Sequence, residues 1–295
     1  MDNAKENIVI GSNDVVTVTT MQHLTEVQWM KGMNHKAHIK KIDKDNYMVL
    51  ETGEIKQCTH GETRKDNTSS LRKTFKKMRY LINNNFCGRS NELFVTLTYA
   101  ENMTDPKRLY TDFKAFIKRF NRKYPDVDYI CVVEPQERGA WHCHVLFRFN
   151  SVGAAFVPNP VMAEIWGHGF VTVRSVEGVD NIGAYLTAYL TDVELTDKNE
   201  QSAYGHEIAV KKVDGIEKKY IKGGRLHLYP SGMNLIRKSR GILYPERQLM
   251  TYRRAKKMIK KIAGSAKPHY SKTYEIDGDG FKNTITFEQY NSKRV

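Results

Sequence analysis

The sequence predicts an α+β protein organised on a split βαβ antiparallel sheet, and two observations lead there. Short runs rich in β-branched and aromatic residues alternate through the middle of the chain with stretches of helical apolar spacing. Two of these runs, "VDYICVVE" (127–134) and "WHCHVLFRF" (141–149), are adjacent and joined by "PQERGA", where Pro135 and Gly139 suit a hairpin connection. The 295 residues are 40% hydrophobic and 27% charged. That is a globular composition, enough for one sizeable core or two modest domains.

The elements follow in order. Residues 1–63 form an N-terminal extension with weak patterning, a β-like "DNYMVLE" and turns at Gly53 and Gly61. "TSSLRKTFKKMRYLINNNF" repeats Leu71, Phe75, Met78 and Ile82 at helical spacing, with Arg72, Lys73, Lys76, Lys77 and Arg79 on the other faces, so it predicts a basic amphipathic helix. Residues 64–195 form the central domain. In it "LFVTLTY" (93–99) reads as a strand, and "DPKRLYTDFKAFIKRFNRKY" as a helix opened by Asp105 as cap and Pro106 at the first position. Leu109, Phe113, Phe116, Ile117 and Phe120 make its apolar stripe. After the hairpin come a short helix, "NPVMAEIWG", a strand, "GFVTVRSV", and a helix, "DNIGAYLTAYLTD", capped by Asp180 or Asn181. The order β-α-β-β-α-β plus a helix is the plan of a ferredoxin-like sheet. Residues 196–295 form a basic C-terminal region.

Charge narrows the partner. Lys and Arg number 47 against 33 Asp and Glu, a net charge of +14. From residue 205 to 270, 17 Lys and Arg face only 4 Asp and Glu, so the excess is concentrated there. This points to a polyanion, nucleic acid first. No window approaches the ~18 apolar residues of a membrane span. The N-terminus shows no basic region followed by an apolar one, so the expectation is a cytoplasmic protein with no membrane partner. Cys58, Cys87, Cys131 and Cys143 lack any CxxC spacing and signal neither a zinc knuckle nor a disulfide framework.

The candidate chemistry lies in the hairpin. Side chains alternate along a strand, so His142 and His144 face one way while Cys143, Val145 and Phe147 face the other. Across the turn Ile130, Val132 and Glu134 share a face, which brings the Glu134 carboxylate beside the imidazoles. Two imidazoles and a carboxylate suit a divalent ion with open positions. Glu137, in the loop, is the second candidate carboxylate. In the last helix Tyr185 and Tyr189 lie four apart on one face, Ile182, Leu186 and Leu190 form the adjacent apolar stripe, and Gly183 allows close approach of the helix. Thr96 and Thr98 share one face of the first strand, as DNA contacts or as sheet lining.

In order and wording these motifs resemble the rolling-circle replication initiators of the His-hydrophobe-His (HUH) endonuclease superfamily. "LFVTLTYAENMTD" is similar to the family's first motif strand, "EPQERGAWHCHVLF" to its metal-binding motif with Cys143 between the histidines, and "NIGAYLTAYLTD" to its tyrosine helix. "GGRLHLYPSGMNLIRKSRGI" (223–242) resembles a segment that follows in bacterial plasmid and phage versions, and the likeness runs from about residue 64 to 245. Such helices often carry Lys three residues after the tyrosine; here those positions are Ala188 and Asp192.

The resemblance implies a bacterial host cell and Mg²⁺ or Mn²⁺ held by His142, His144 and Glu134. It further implies attack of Tyr185 or Tyr189 on single-stranded origin DNA, giving a 5′-phosphotyrosine and a free 3′-hydroxyl. No GxxxxGK[ST] occurs, so unwinding is expected to come from a host helicase and extension from a host polymerase. Three other readings compete. A non-haem iron enzyme would use the same triad but leaves the basic segment unexplained. A non-catalytic DNA-binding regulator would satisfy the charge alone, and an HUH relaxase or transposase shares the cleavage chemistry.

Overall fold

A computed structural model describes residues 9–32, 38–59, 68–136, 139–184, 186, 193–194, 208–213, 216–221, 228–230, 232–264, 267–278 and 281–294. The chain runs β1 (Val15–Met21), β2 (Leu24–Met30), β3 (Ile39–Lys41), β4 (Asn46–Val49), β5 (Ile55–Gln57), α1 (Thr68–Asn85), β6 (Glu92–Thr98), α2 (Pro106–Lys123) and β7 (Val127–Pro135). It continues through β8 (Trp141–Phe149), α3 (Asn159–Trp166), β9 (Val171–Ser175), β10 (Val193–Glu194), β11 (Ile208–Val213), β12 (Ile216–Ile221) and β13 (Ile236–Lys238). It ends with β14 (Arg247–Thr251), α4 (Tyr252–Ala263), β15 (Tyr270–Gly278) and β16 (Phe281–Asn291). Two units form: Gly61–Tyr244, and Met1–His60 together with Pro245–Val295.

The central unit carries the split βαβ plan. β6, α2, β7, β8, α3 and β9 follow one another, and the sheet they make has the order β13-β7-β8-β6-β9, every neighbouring pair antiparallel. Asp105 caps α2 by accepting from the Lys107 amide at 2.8 Å, and Pro106 follows it. The stripe Leu109, Phe113, Phe116, Ile117 and Phe120 is buried. It packs with Trp166 of α3 on the sheet face made by Val95, Leu97, Cys131, Val133, Cys143, Val145 and Phe147. Each fully buried side chain of this size contributes about 1.5–3 kcal/mol, so this layer fixes the register of the hairpin.

The opposite face is covered by α1. Met78, Leu81, Ile82 and Phe86 pack against Ile130, Val132 and Leu146, with Phe94 partly buried beside them. The turn out of α1 is held by Glu92, wholly buried at the start of β6, whose carboxylate accepts the amides of Cys87 at 3.0 Å, Gly88 at 2.8 Å and Arg89 at 3.3 Å. A buried carboxylate is tolerable because three N–H groups replace its hydration. Between α3 and β9, Gly169 (φ 151°) lies so close to the end of β6 that a Cβ would stand 2.4 Å from the Ala100 nitrogen. Only glycine fits there.

The terminal unit holds a five-stranded antiparallel sheet, β14-β1-β2-β16-β15, and the small sheet β3-β4-β5. α4 lies on the larger sheet through Ala255, Ile259 and Ala263, packed with Val16, Val18, Val27 and Tyr290. The β-like "DNYMVLE" contains β4. Among the described residues, no helix is long and apolar enough to cross a membrane, and the four cysteines form no disulfide.

Candidate functional site

Register assembles the site. β8 is paired on both sides, so His142 stands directly between Thr98 and Glu134, and His144 between Thr96 and Val132. All six side chains lie on the α1 face of the sheet, because Cys143 and Val145, one residue away, belong to the α2 core. The imidazole centroids are 6.3 Å apart with planes at 67°. Phe94, two residues along β6 from Thr96, stacks on the His144 ring at 5.6 Å and 11°.

Both nitrogens of His144 are engaged. Nδ1 is 3.2 Å from Thr96 Oγ1, and Nε2 meets Glu134 Oε2 in close contact. Glu134 is itself buried. Burial pushes the His144 imidazole down to about 4, because desolvation penalises its charged form. A neutral imidazole held at Nδ1 by a hydroxyl is what a metal ligand requires, since it fixes the ring and points Nε2 at the ion.

Among the described residues, no three His, Cys, Asp or Glu side chains already stand in a ready-made coordination arrangement. Glu134 instead closes directly on His144. The donor set nevertheless fits a divalent cation in kind: His142, His144 and Glu134 present two imidazoles and one carboxylate from one sheet face, and His144 is neutral. Glu137, the alternative carboxylate, lies outside the described residues, as do Tyr185 and Tyr189.

The start of the tyrosine-bearing segment is described, and it docks on the same face. Residues 182–184 and 186 are helical. Of the two candidate caps, Asn181 serves: its Oδ1 accepts from the Ala184 amide at 2.9 Å. Ile182 and Leu186 are buried in one cluster with Met78, Leu81 and Ile82 of α1 and with Val132, the cross-strand partner of His144. Asn83 of α1, 1% exposed, locks this contact. It accepts from the Gly183 amide at 2.8 Å and donates to Asn181 Oδ1 at 3.1 Å. A Cβ at Gly183 would fall 2.5 Å from Asn83 Oδ1 and 3.0 Å from the Arg79 carbonyl, so the close approach expected of Gly183 is present.

Two supporting residues escape a reading of the sequence: Phe94, which stacks on His144, and Asn83, which holds the helix start. Thr96, expected as a DNA contact or as sheet lining, meets His144 Nδ1. For Asn83 a signal exists, an Asn one residue after Ile82 on the buried side of an amphipathic helix. Phe94 is marked only by its period-two phase.

Residues 92–194 match the family model for replication-associated proteins of the ORF2 type. The matched stretch begins with β6, ends with β10 and contains every candidate site residue, so it supports a replication-initiator family for the central unit. It covers roughly a third of the chain. No curated protein matches the chain.

Proposed function

We propose that this chain starts DNA replication by nicking and rejoining single-stranded origin DNA through a covalent tyrosine intermediate. The observation that carries this reading is the shared face. The segment leading into Tyr185 and Tyr189 docks, through Ile182 and Leu186, on the side of the sheet that bears His142, His144 and Glu134. Similarity of residues 92–194 to a replication-associated family agrees with it.

The residues suited to hold Mg²⁺ or Mn²⁺ are His142, His144 and Glu134, and an ion bound there would polarise the scissile phosphate and offset its growing charge. Thr96 and Phe94 keep the His144 ring oriented, and burial keeps it neutral. Tyr185 or Tyr189 attacks phosphorus in line: the phenolic oxygen forms the new P–O bond, the bond to the 3′ oxygen breaks, and the phenol's proton is given up as the 3′-hydroxyl takes one. One phosphodiester replaces another, so rejoining needs no nucleotide. A second tyrosine permits a second transfer while the first is occupied, and the free 3′-hydroxyl primes a host polymerase behind a host helicase.

The test uses labelled single-stranded DNA carrying the candidate origin, Mn²⁺, and four proteins: wild type, Tyr185→Phe, Tyr189→Phe and the double variant. A protein–DNA adduct on a denaturing gel is expected from wild type and absent from the double variant. Tyr185, four residues nearer in sequence to the Asn181 cap, where the backbone dipole favours an anion, is expected to act first. An adduct in the double variant, or full nicking by His142→Ala in chelator, overturns the proposal.

A further inference from the structure

The solvent side of α4 carries a charge pattern that the nicking chemistry does not use. Its twelve residues, YRRAKKMIKKIA, include six cations and no acid. Ala255, Ile259 and Ala263 face the sheet. On the opposite side Arg253, Lys257, Lys260 and Lys261 follow the i, i+4, i+7, i+8 spacing of a single stripe, flanked by Arg254, and all five are exposed. The sixth cation is spent inside the unit. Lys256 Nζ donates to Tyr290 Oη at 2.5 Å, lies 3.5 Å from the Glu288 carboxylate, and sits over the rings of Tyr252 and Tyr290.

We infer that this stripe grips the phosphate backbone of duplex DNA, which makes the terminal unit a DNA-holding module. That the polyanion is DNA rests on the function proposed above. The rest is electrostatics. Arg253 and Lys257, and Lys257 and Lys261, are like-charge pairs at i,i+4, which weaken an isolated helix. Arg253 and Arg254 stand in the first turn, at the positive end of the helix dipole where acidic residues are the stabilising choice. None of the five exposed cations makes an ion pair among the described residues. A surface that needed only solubility would mix signs; this one leaves its repulsion to be relieved by an external polyanion.

The occupant follows from what the stripe lacks. A membrane-surface helix lies with its apolar face in the lipid, whereas that face of α4 is turned into the sheet and Ile262 is its one large apolar side chain left exposed. Single strands are held by aromatic stacking platforms. The only aromatic of α4, Tyr252, is half-buried and donates to Glu288 at 2.8 Å. What remains is a row of point charges about 12 Å long, at ~1.5 Å per helical residue. Along one strand of a duplex, with phosphates every ~3.4 Å of axis, that reaches three or four phosphates.

The experiment compares the full-length wild type with the quadruple variant Arg253→Gln, Lys257→Gln, Lys260→Gln and Lys261→Gln, checked for an unchanged thermal unfolding profile. Affinity for a non-origin duplex and for a single strand of equal length is measured by fluorescence anisotropy across a salt series. The magnitude of the slope of log K against log salt on duplex should fall by about 3, at ~0.9 per neutralised phosphate, with a smaller change on the single strand. An unchanged duplex slope in the quadruple variant overturns the inference, as does an equal loss on single strand and duplex. So does preferential binding of wild type to phosphatidylserine vesicles that the variant loses. A wild type that never nicks but shows the α4-dependent slope would sink the proposed nicking and leave this inference standing.

Discussion

At the scale of single residues, His144 shows how much orientation costs to provide and how little of it is visible in a motif. The spacing of His142 and His144 was legible because a strand has period two, and Glu134 because a short hairpin sets it opposite His142. The register could not show that Glu134 reaches diagonally to His144, nor that Thr96 occupies the far nitrogen. Those contacts depend on rotamers chosen by packing. Thr96→Val keeps the shape and removes the hydroxyl, leaving a buried ring nitrogen without that partner. It is expected to cost about 1–3 kcal/mol in stability and to weaken Mn²⁺ binding on the order of 10- to 100-fold, both recovered in Thr96→Ser. Calorimetric titration of Mn²⁺ into the three proteins checks this; equal affinities would show that the hydroxyl does not orient the ligand.

At the scale of elements, the site is made by two contacts between α1 and the rest of the central unit: its apolar face on the sheet, and Asn83 on the start of the tyrosine-bearing segment. The apolar stripe of α2 and its Asp105 cap were fully legible, since both are local patterns. The partner of α1 was not. It read as a basic amphipathic helix, and the sequence carries no mark of which face of which sheet such a helix will cover. Gly183 was legible as a point of close approach because no other residue leaves that space. Gly183→Ala places a Cβ 2.5 Å from Asn83 Oδ1 and breaks the fit. The helix start should be displaced while the sheet stays intact, so adduct formation is expected to drop at least tenfold with single-strand affinity within twofold of wild type. Pairing Gly183→Ala with Asn83→Ala, which frees the space but leaves the Gly183 amide unsatisfied, should recover only part of the activity. Undiminished adduct formation by Gly183→Ala would mean that this contact does not position the nucleophile.

At the scale of the molecule, the terminal unit is sewn together from the two ends of the chain. β1 and β2 form a hairpin whose outer edges are covered by β14 on one side and β16 on the other. Pairings that span more than 200 residues leave no periodicity in either partner, so the N-terminal stretch reads as weakly patterned although "VVTVTTM" and "LTEVQWM" are both strands. The consequence concerns truncation. Removing residues 245–295 takes away β14, α4, β15 and β16 together, and strips Val16, Val18 and Val27 of their cover. It also exposes both edges of the β1–β2 hairpin, and unpaired edges template association between chains. The fragment 1–244 is therefore expected to aggregate, whereas 61–244, which keeps β13 on the edge of its own sheet and both layers over it, should be monodisperse and unfold in one transition. Light scattering and thermal melts of the two fragments at equal concentration decide the matter. A monodisperse 1–244 with the same transition as 61–244 would show that the hairpin does not depend on the far end of the chain.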